Sequence, residues 1–200
     1  MKKTFNILLI CAANFAFAQI AIGKSSISLL PTPPNPANTI NPFISLEFGD
    51  YVAGQGRGIV LPWVDSAADV AGSVNGTIFL DVNDKIVKYQ NGTGTYFSLS
   101  KNETTQVGSS NTFNTLGVVS TTLQSNLTDL PTAKVSIGTP VIPNVPGVLV
   151  LESTTQAMVL PKVASPQNNI FSPEPGTIVY DTDSRQLAVY NGTVWSFWKP

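Results

Sequence analysis

Residues 76–93 read Gly-Thr-Ile-Phe-Leu-Asp-Val-Asn-Asp-Lys-Ile-Val-Lys-Tyr-Gln-Asn-Gly-Thr. Residues 176–193 read Gly-Thr-Ile-Val-Tyr-Asp-Thr-Asp-Ser-Arg-Gln-Leu-Ala-Val-Tyr-Asn-Gly-Thr. The two stretches align without a gap at an offset of 100 and share seven of 18 positions. Each reads as a β-meander. Residues 77–80 and 177–180 are short apolar, β-branched runs, and the polar turns 81–85 and 181–185 follow them. Second strands over 86–89 and 186–190 lead to Asn91-Gly92 and Asn191-Gly192, a strong hairpin signal because both residue types tolerate positive φ. Third strands are expected over 95–99 and 194–198. The alternation puts Val87 and Tyr89 on one face, and Leu187 and Val189 on the matching face.

The likeness extends outward. Val60-Leu61-Pro62 matches Val159-Leu160-Pro161, Ser45-Leu46-Glu47 resembles Val150-Leu151-Glu152, and Lys24-Ser-Ser-Ile27 echoes Lys134-Val-Ser-Ile137. This divides the chain into a first β unit with an extended N-terminal arm (19–100), a linker rich in Ser, Thr and Asn (101–131), and a second β unit (132–200). Two long units are too few for a solenoid. They make either one pseudo-symmetric body or two beads on a polar linker. The prolines of 31–42, and Pro140, Pro143 and Pro146, predict extended, non-helical arms. No amphipathic helix is expected, only one short turn over 66–71. The fold class is all-β: two related small β-meander units with Pro-rich extended arms and short loops.

The N-terminus reads as an export signal. Lys2 and Lys3 precede an apolar run ending at Ala13, and Ala16-Phe17-Ala18 is the small–x–small pattern of a cleavage site. Cleavage is expected between Ala18 and Gln19. The run is too short for a permanent span of about 20 residues, so no membrane span is expected after signal removal. Cys11 lies inside the apolar run behind Ile10, which is not the setting of a lipid-attachment cysteine. The expected location is extracellular or on the cell surface, with the periplasm as alternative.

Composition narrows the function. The 200 residues include no histidine and one cysteine. That excludes imidazole chemistry, an internal disulfide and Cys-based zinc or iron–sulfur sites. Charged residues make up 12%, about half the usual ~25%. With 11 basic against 12 acidic residues there is no basic surplus to hold phosphates, so nucleic acid is not an expected partner. Glu47, Glu103, Glu152 and Glu174 lie in no catalytic motif. Asp181 and Asp183 fall in a turn, where aspartate caps its own backbone. Gly54-Gln-Gly56-Arg-Gly58 is followed by no helix that could present its N-terminus to phosphate, and reads as a flexible loop entering a strand over 59–61. Asp81, Asn83 and Asp84 offer too few oxygens for calcium. No cofactor and no metal are expected, and the chain reads as non-enzymatic.

The remaining candidates are aromatic. Trp195, Phe197 and Trp198 end the chain near Tyr180 and Tyr190, and Trp63 follows Leu61-Pro62. They fill a core, join subunits or stack on a glycan. On a strand, Trp195 and Phe197 share a face and Trp198 takes the other. Asp65-Ser66-Ala67 resembles the short O-glycosylation acceptor of exported Bacteroidetes proteins; capping by Asp65 is the alternative at Ser66.

The order Leu-Glu, polar loop, Val-Leu-Pro, then Gly-Thr-Ile-Val-Tyr-Asp-Thr and Leu-x-Val-Tyr-Asn-Gly-x-x-Trp resembles a module of small exported flavobacterial (Bacteroidetes) proteins. A similar module occurs in fibre and tail-like surface proteins of bacteria and phages. The second unit fits over 147–200, with Gly176, Tyr180, Asp181, Tyr190, Asn191, Gly192 and Trp195 in place. The first departs, with Leu80 for the tyrosine and Tyr96 near the tryptophan position. The resemblance implies trimers or polymers and no activity. The expected role is structural or in surface assembly, with self or another surface protein as partner and strand donation by residues 19–42 as one route. The alternative is a monomeric module binding glycans or a protein.

Overall fold

The computed structural model describes residues 19–107, 111–122, 128, 130, 133–138 and 147–199. The expected leader up to Ala18, and Pro140, Pro143 and Pro146, lie outside them. Strands β1 (Ile20–Ile22), β2 (Ile44–Phe48), β3 (Ile59–Val60) and β4 (Trp63–Val64) lead to a 3-10 turn at Ala67–Val70. Next come β5 (Ile78–Asp81), β6 (Ile86–Gly92), β7 (Thr95–Ser98), β8 (Thr104–Val107) and β9 (Asn111–Asn114). The C-terminal part holds β10 (Val135–Gly138), β11 (Leu149–Glu152), β12 (Ala157–Val159) and β13 (Lys162–Val163), then the single helical turn α1 (Pro166–Asn169). Strands β14 (Thr177–Asp181), β15 (Gln186–Tyr190) and β16 (Trp195–Trp198) close the chain. The fold is all-β.

Both meanders form as the alternation requires. One sheet has the order β4-β5-β6-β7 and the other β13-β14-β15-β16. In each, the first strand runs parallel to the second: Trp63 pairs with Leu80 and Lys162 with Tyr180. Parallel neighbours need a crossover. Residues 65–77 and 164–176 supply it, carrying the 3-10 turn and α1 respectively. The helical turn α1 has no counterpart in the expectations above. Its signal is Pro166, which suits a first helical position because its missing N–H would have no partner there.

The Val-Leu-Pro repeat is the elbow of the fold. Upstream of one elbow, β3 pairs with β14 of the second copy; downstream, β4 pairs with β5 of the first. Upstream of the other, β12 pairs with β2 of the first copy; downstream, β13 pairs with β14. Proline has no N–H to offer a ladder but keeps its carbonyl. Pro62 O accepts from Leu80 N and Pro161 O from Tyr180 N, each at 2.9 Å. Leu61 and Leu160 enter the same core as Leu80, Val87, Leu99, Ile178 and Val189, so both copies fill one hydrophobic cluster. A second cluster, on the far side of the β14–β15 ladder, joins Val163, Ile170, Val179 and Ala188.

Three details differ from the sequence reading. The first hairpin turns at Thr93-Gly94 rather than Asn91-Gly92: β6 runs on to Gly92 through a bulge, and Gly94 supplies the positive φ of 66°. The second copy has Val194 where the first has that extra glycine, and there the turn stays at Asn191–Val194 with Gly192 at φ 96°. The glycine loop 54–58 is docked rather than loose. Gly56 N donates to Asn169 O at 2.9 Å, and a Cβ on Gly58 would stand 2.4 Å from Thr177 Cγ2. The proline segment 31–42 folds back on its own chain. Leu29 bridges Ile40, Leu30 N donates to Thr39 O at 2.8 Å, and Asn41 N donates to Ser28 O at 2.9 Å.

The N-terminal strands are parallel to their neighbours, in the order β1-β2-β12. Ile20-Ala21 on β1 stand opposite Leu46-Glu47 of β2, as Ile137-Gly138 on β10 stand opposite Leu151-Glu152 of β11 in a second parallel pair. The Lys24–Ile27 echo is not structural: Lys24, Ser25 and Ser26 form bends, whereas 135–138 form a strand. Within 101–131, β8 and β9 form an antiparallel hairpin, and Val119 packs onto the shared core.

Candidate assembly surface

The repeated turns hold buried carboxylates. Asp81 and Asp181 are almost wholly buried. Asp81 Oδ2 accepts from Ala67 N at 3.0 Å, and Asp181 Oδ1 accepts from Ser165 N at 3.0 Å. Each carboxylate thus ties the start of a crossover to the end of the following strand. Each also caps its own turn, accepting from Asp84 N or Asp183 N at 3.0 Å. In the first copy Lys88 Nζ lies 2.9 Å from Asp81 Oδ2 and also bonds Asp84; Ala188 stands at the matching place. Burial pushes the Asp81 carboxyl up, but the N–H of Asp84, the Lys88 ammonium and the N–H of Ala67 outweigh it and hold it below its ordinary value. Burial pulls Lys88 down, and Asp84 and Asp81 raise it on balance. Glu47 behaves like Asp81. Burial raises it, while the Ser28 hydroxyl and N–H, at 2.6 and 2.7 Å, and Lys24, at 3.0 Å, bring it below its usual range. These groups are saturated by backbone and ion pairs, which suits them to bracing the fold. No group of three or more His, Cys, Asp or Glu that could hold a metal occurs among the described residues.

The aromatic candidates fall on two faces. Tyr190 and Trp195 pair across β15 and β16, ring centroids 5.3 Å apart, on the face where Trp195 packs against Val179 and Ala188. Burial pushes the Tyr190 hydroxyl above its ordinary pKa. Phe197 continues that face and is exposed. Trp198 points the other way: its Nε1 donates to Leu99 O and its ring meets Phe97 edge-on at 5.4 Å. Phe97 in turn meets Tyr89 at 5.4 Å. Tyr180 lies on that same face, exposed and opposite Leu187. Trp63 is half-buried over the core, and its Nε1 donates to Pro175 O at 2.8 Å. Tyr96, at the position of Trp195, meets Phe79 edge-on and donates its hydroxyl to Ala67 O at 2.8 Å. The geometry gives Trp63, Tyr96, Tyr190, Trp195 and Trp198 in-chain contacts, leaves Tyr180 and Phe197 open to solvent, and divides the second-copy rings between two faces.

Ser66 caps the 3-10 turn. Its Oγ accepts from Ala68 N at 3.3 Å, and Asp69, not Asp65, returns the bond to Ser66 N at 3.1 Å. Gln19 is tied down, its Nε2 donating to Asn41 O at 2.8 Å and Ile44 O at 2.6 Å. A cleft of about 390 Å³ lies among Phe48, Tyr51, Gln55, Arg57 and Lys162. A second, of about 700 Å³, lies among Val60, Trp63, Val118, Glu174 and Pro175.

Sequence reasoning overlooked Asn191 as more than a turn residue. It is fully buried. Its Nδ2 donates to Lys101 O and Thr115 O, both at 2.7 Å, and its Oδ1 accepts from Thr193 N and Val194 N, both at 2.9 Å. The amide is saturated, and it staples the segment between the copies to the second hairpin. Beside it, a Cβ on Gly192 would stand 1.9 Å from Val118 O. Also overlooked was the exposed apolar character of the N-terminal strands and of β10–β12: Ile20, Ile22, Val135, Leu149 and Met158 are all open to solvent.

Residues 136–199 match the family described as a phage tail like trimerisation region. The matched stretch runs from β10 to β16, so it takes in the second meander and the parallel strands before it. No curated protein and no solved structure matches the chain. The match supports a tail- or fibre-like module, and a trimerisation region is a structural family rather than an enzyme family.

Proposed function

We propose that this chain is an exported, non-enzymatic structural protein of a surface assembly that associates into trimers through its second unit, residues 132–200, with 101–131 as the connecting segment and 19–100 as the first unit. The observation that carries this reading is the match of residues 136–199 to a trimerisation region. The site chemistry agrees with it: Asp81, Asp181, Glu47 and the Asn191 amide are committed to backbone, hydroxyl and ammonium partners within the chain. Export rests on the Lys2-Lys3, apolar-run and Ala16-Phe17-Ala18 order at the N-terminus.

The test is the mass of the chain from Gln19 onward, measured by light scattering over a concentration series. A species of three times the chain mass that persists on dilution is the expected result. A monomer at every concentration overturns the reading.

A further inference from the structure

The trimer reading leaves open which surface meets its copies, and the structure distinguishes two kinds. The meander sheets pack their apolar side chains into the shared core and into the Phe97–Trp198 and Tyr190–Trp195 ring pairs, with Phe97 and Trp198 still 40% and 38% exposed. The β10–β11 pair does not. It is a parallel ladder of only two strands, with no third strand on either outer edge among the described residues. Parallel sheets are otherwise found covered on both faces, and a two-stranded sheet is marginal in water without further strands or a packed face. Here Val135 and Leu149 are register partners on one face, 56% and 44% exposed, and Val148 beside them is 58% exposed. β2, against which β10 lies, carries the all-parallel β1-β2-β12 sheet. Ile20 and Met158 flank the buried Leu46 on one face of that sheet, and both are open to solvent.

We infer that the parallel strands β10 and β11, with the Ile20 and Met158 margins of the neighbouring sheet, form the contact between copies of this chain. The occupant is a second copy because most of β10, and all of β11 and β12, lie inside the stretch that matches a trimerisation region. Symmetry-related copies would bring Val135, Val148 and Leu149 out of water and set further strands beside open ladder edges. The aromatic end of the meander, with Phe197 exposed at 38%, then stays outside the contact. This placement rests on the trimer reading above.

The test compares the parent chain, Val135→Glu, Leu149→Lys and Phe197→Glu by light scattering. The expected result is a trimer for the parent and Phe197→Glu, and loss of at least tenfold in trimer stability for Val135→Glu and Leu149→Lys. A monomeric parent overturns the trimer reading itself. A trimeric parent whose Val135→Glu and Leu149→Lys variants keep the same mass at every dilution overturns only the placement. Should a charged variant fail to fold, thiol cross-linking decides. In a Cys11→Ser background, Val135→Cys should link into dimers and trimers with a short bismaleimide while Phe197→Cys stays single; the reverse pattern overturns the inference.

Discussion

Replacing Asn191 by alanine isolates the staple between the copies. Four hydrogen bonds are lost together. The bond to Thr115 O is buried, and leaving such a group without a partner costs about 1–3 kcal/mol. The other three are partly buried and each contributes about 0.5–1.5 kcal/mol. The losses share one side chain and are not additive, so the expected destabilisation is about 3–5 kcal/mol. With a urea m-value of about 2 kcal/mol/M, the midpoint should fall by roughly 1.5–2.5 M at unchanged slope. Trp63, Trp195 and Trp198 report the transition by fluorescence. The internal reference is Asn91, which has the same place in the repeat but is exposed; Asn91→Ala should cost under about 0.5 kcal/mol. Asn191→Asp sharpens the test. A carboxylate would keep both acceptor contacts but face the carbonyls of Lys101 and Thr115 with no proton to donate. It should cost more than alanine at neutral pH and recover partly in acid, where a protonated carboxyl donates one bond. A midpoint shift below 0.5 M, or equal effects at positions 91 and 191, refutes the reasoning.

Lys88→Ala leaves Asp81 buried without its cation and should cost about 3–5 kcal/mol in the same urea assay. Because Asp81 is held below its ordinary value, its contribution is present above the unfolded pKa and lost as pH falls through the folded one; the variant should therefore show a shallower acid limb in a stability–pH profile. Gly192→Ala should unfold the hairpin contact with Val118, since its Cβ would overlap the Val118 carbonyl, whereas Gly76→Ala, at φ 89° with open space around it, should cost only the ~1 kcal/mol of positive φ; circular-dichroism melts compare them. The intact mass of the exported chain should begin at Gln19, and any added glycan mass should disappear in Ser66→Ala.

Much of the fold is legible in the repeat. Period-2 alternation gives Leu187 and Val189 one face because nothing local competes with it. Lys85 and Arg185 take left-handed φ of 57° and 54° just where the polar turns were expected. Val-Leu-Pro was visible as a motif but not as an elbow, because an elbow is defined by the strands it pairs with, and Val60 of β3 meets Thr177 of β14 across 117 residues of chain. Asn91 and Asn191 look alike in sequence; only the arrival of Lys101 and Thr115 over one of them separates a turn residue from a staple. Gly56 and Gly58 read as freedom of the chain, whereas what they give is room for Asn169 and Thr177. The open apolar faces of β10 and β11 were hidden because exposure depends on which strands are missing, and no local pattern records that.

The elbows also set the order in which the molecule can be completed. β3 and Trp63 are made early, yet β3 waits for β14 and the Trp63 indole for Pro175, 112 residues later in the chain. Leu99 O waits for Trp198, 99 residues later. A chain emerging N-terminus first therefore carries its first copy with an unzipped flank until the second copy has followed. Closure is latched by the second copy: a chain cut before residue 175 can still pair β4 to β7 but lacks Ile178, Val189 and Pro175 to complete the shared core and the Trp63 bond.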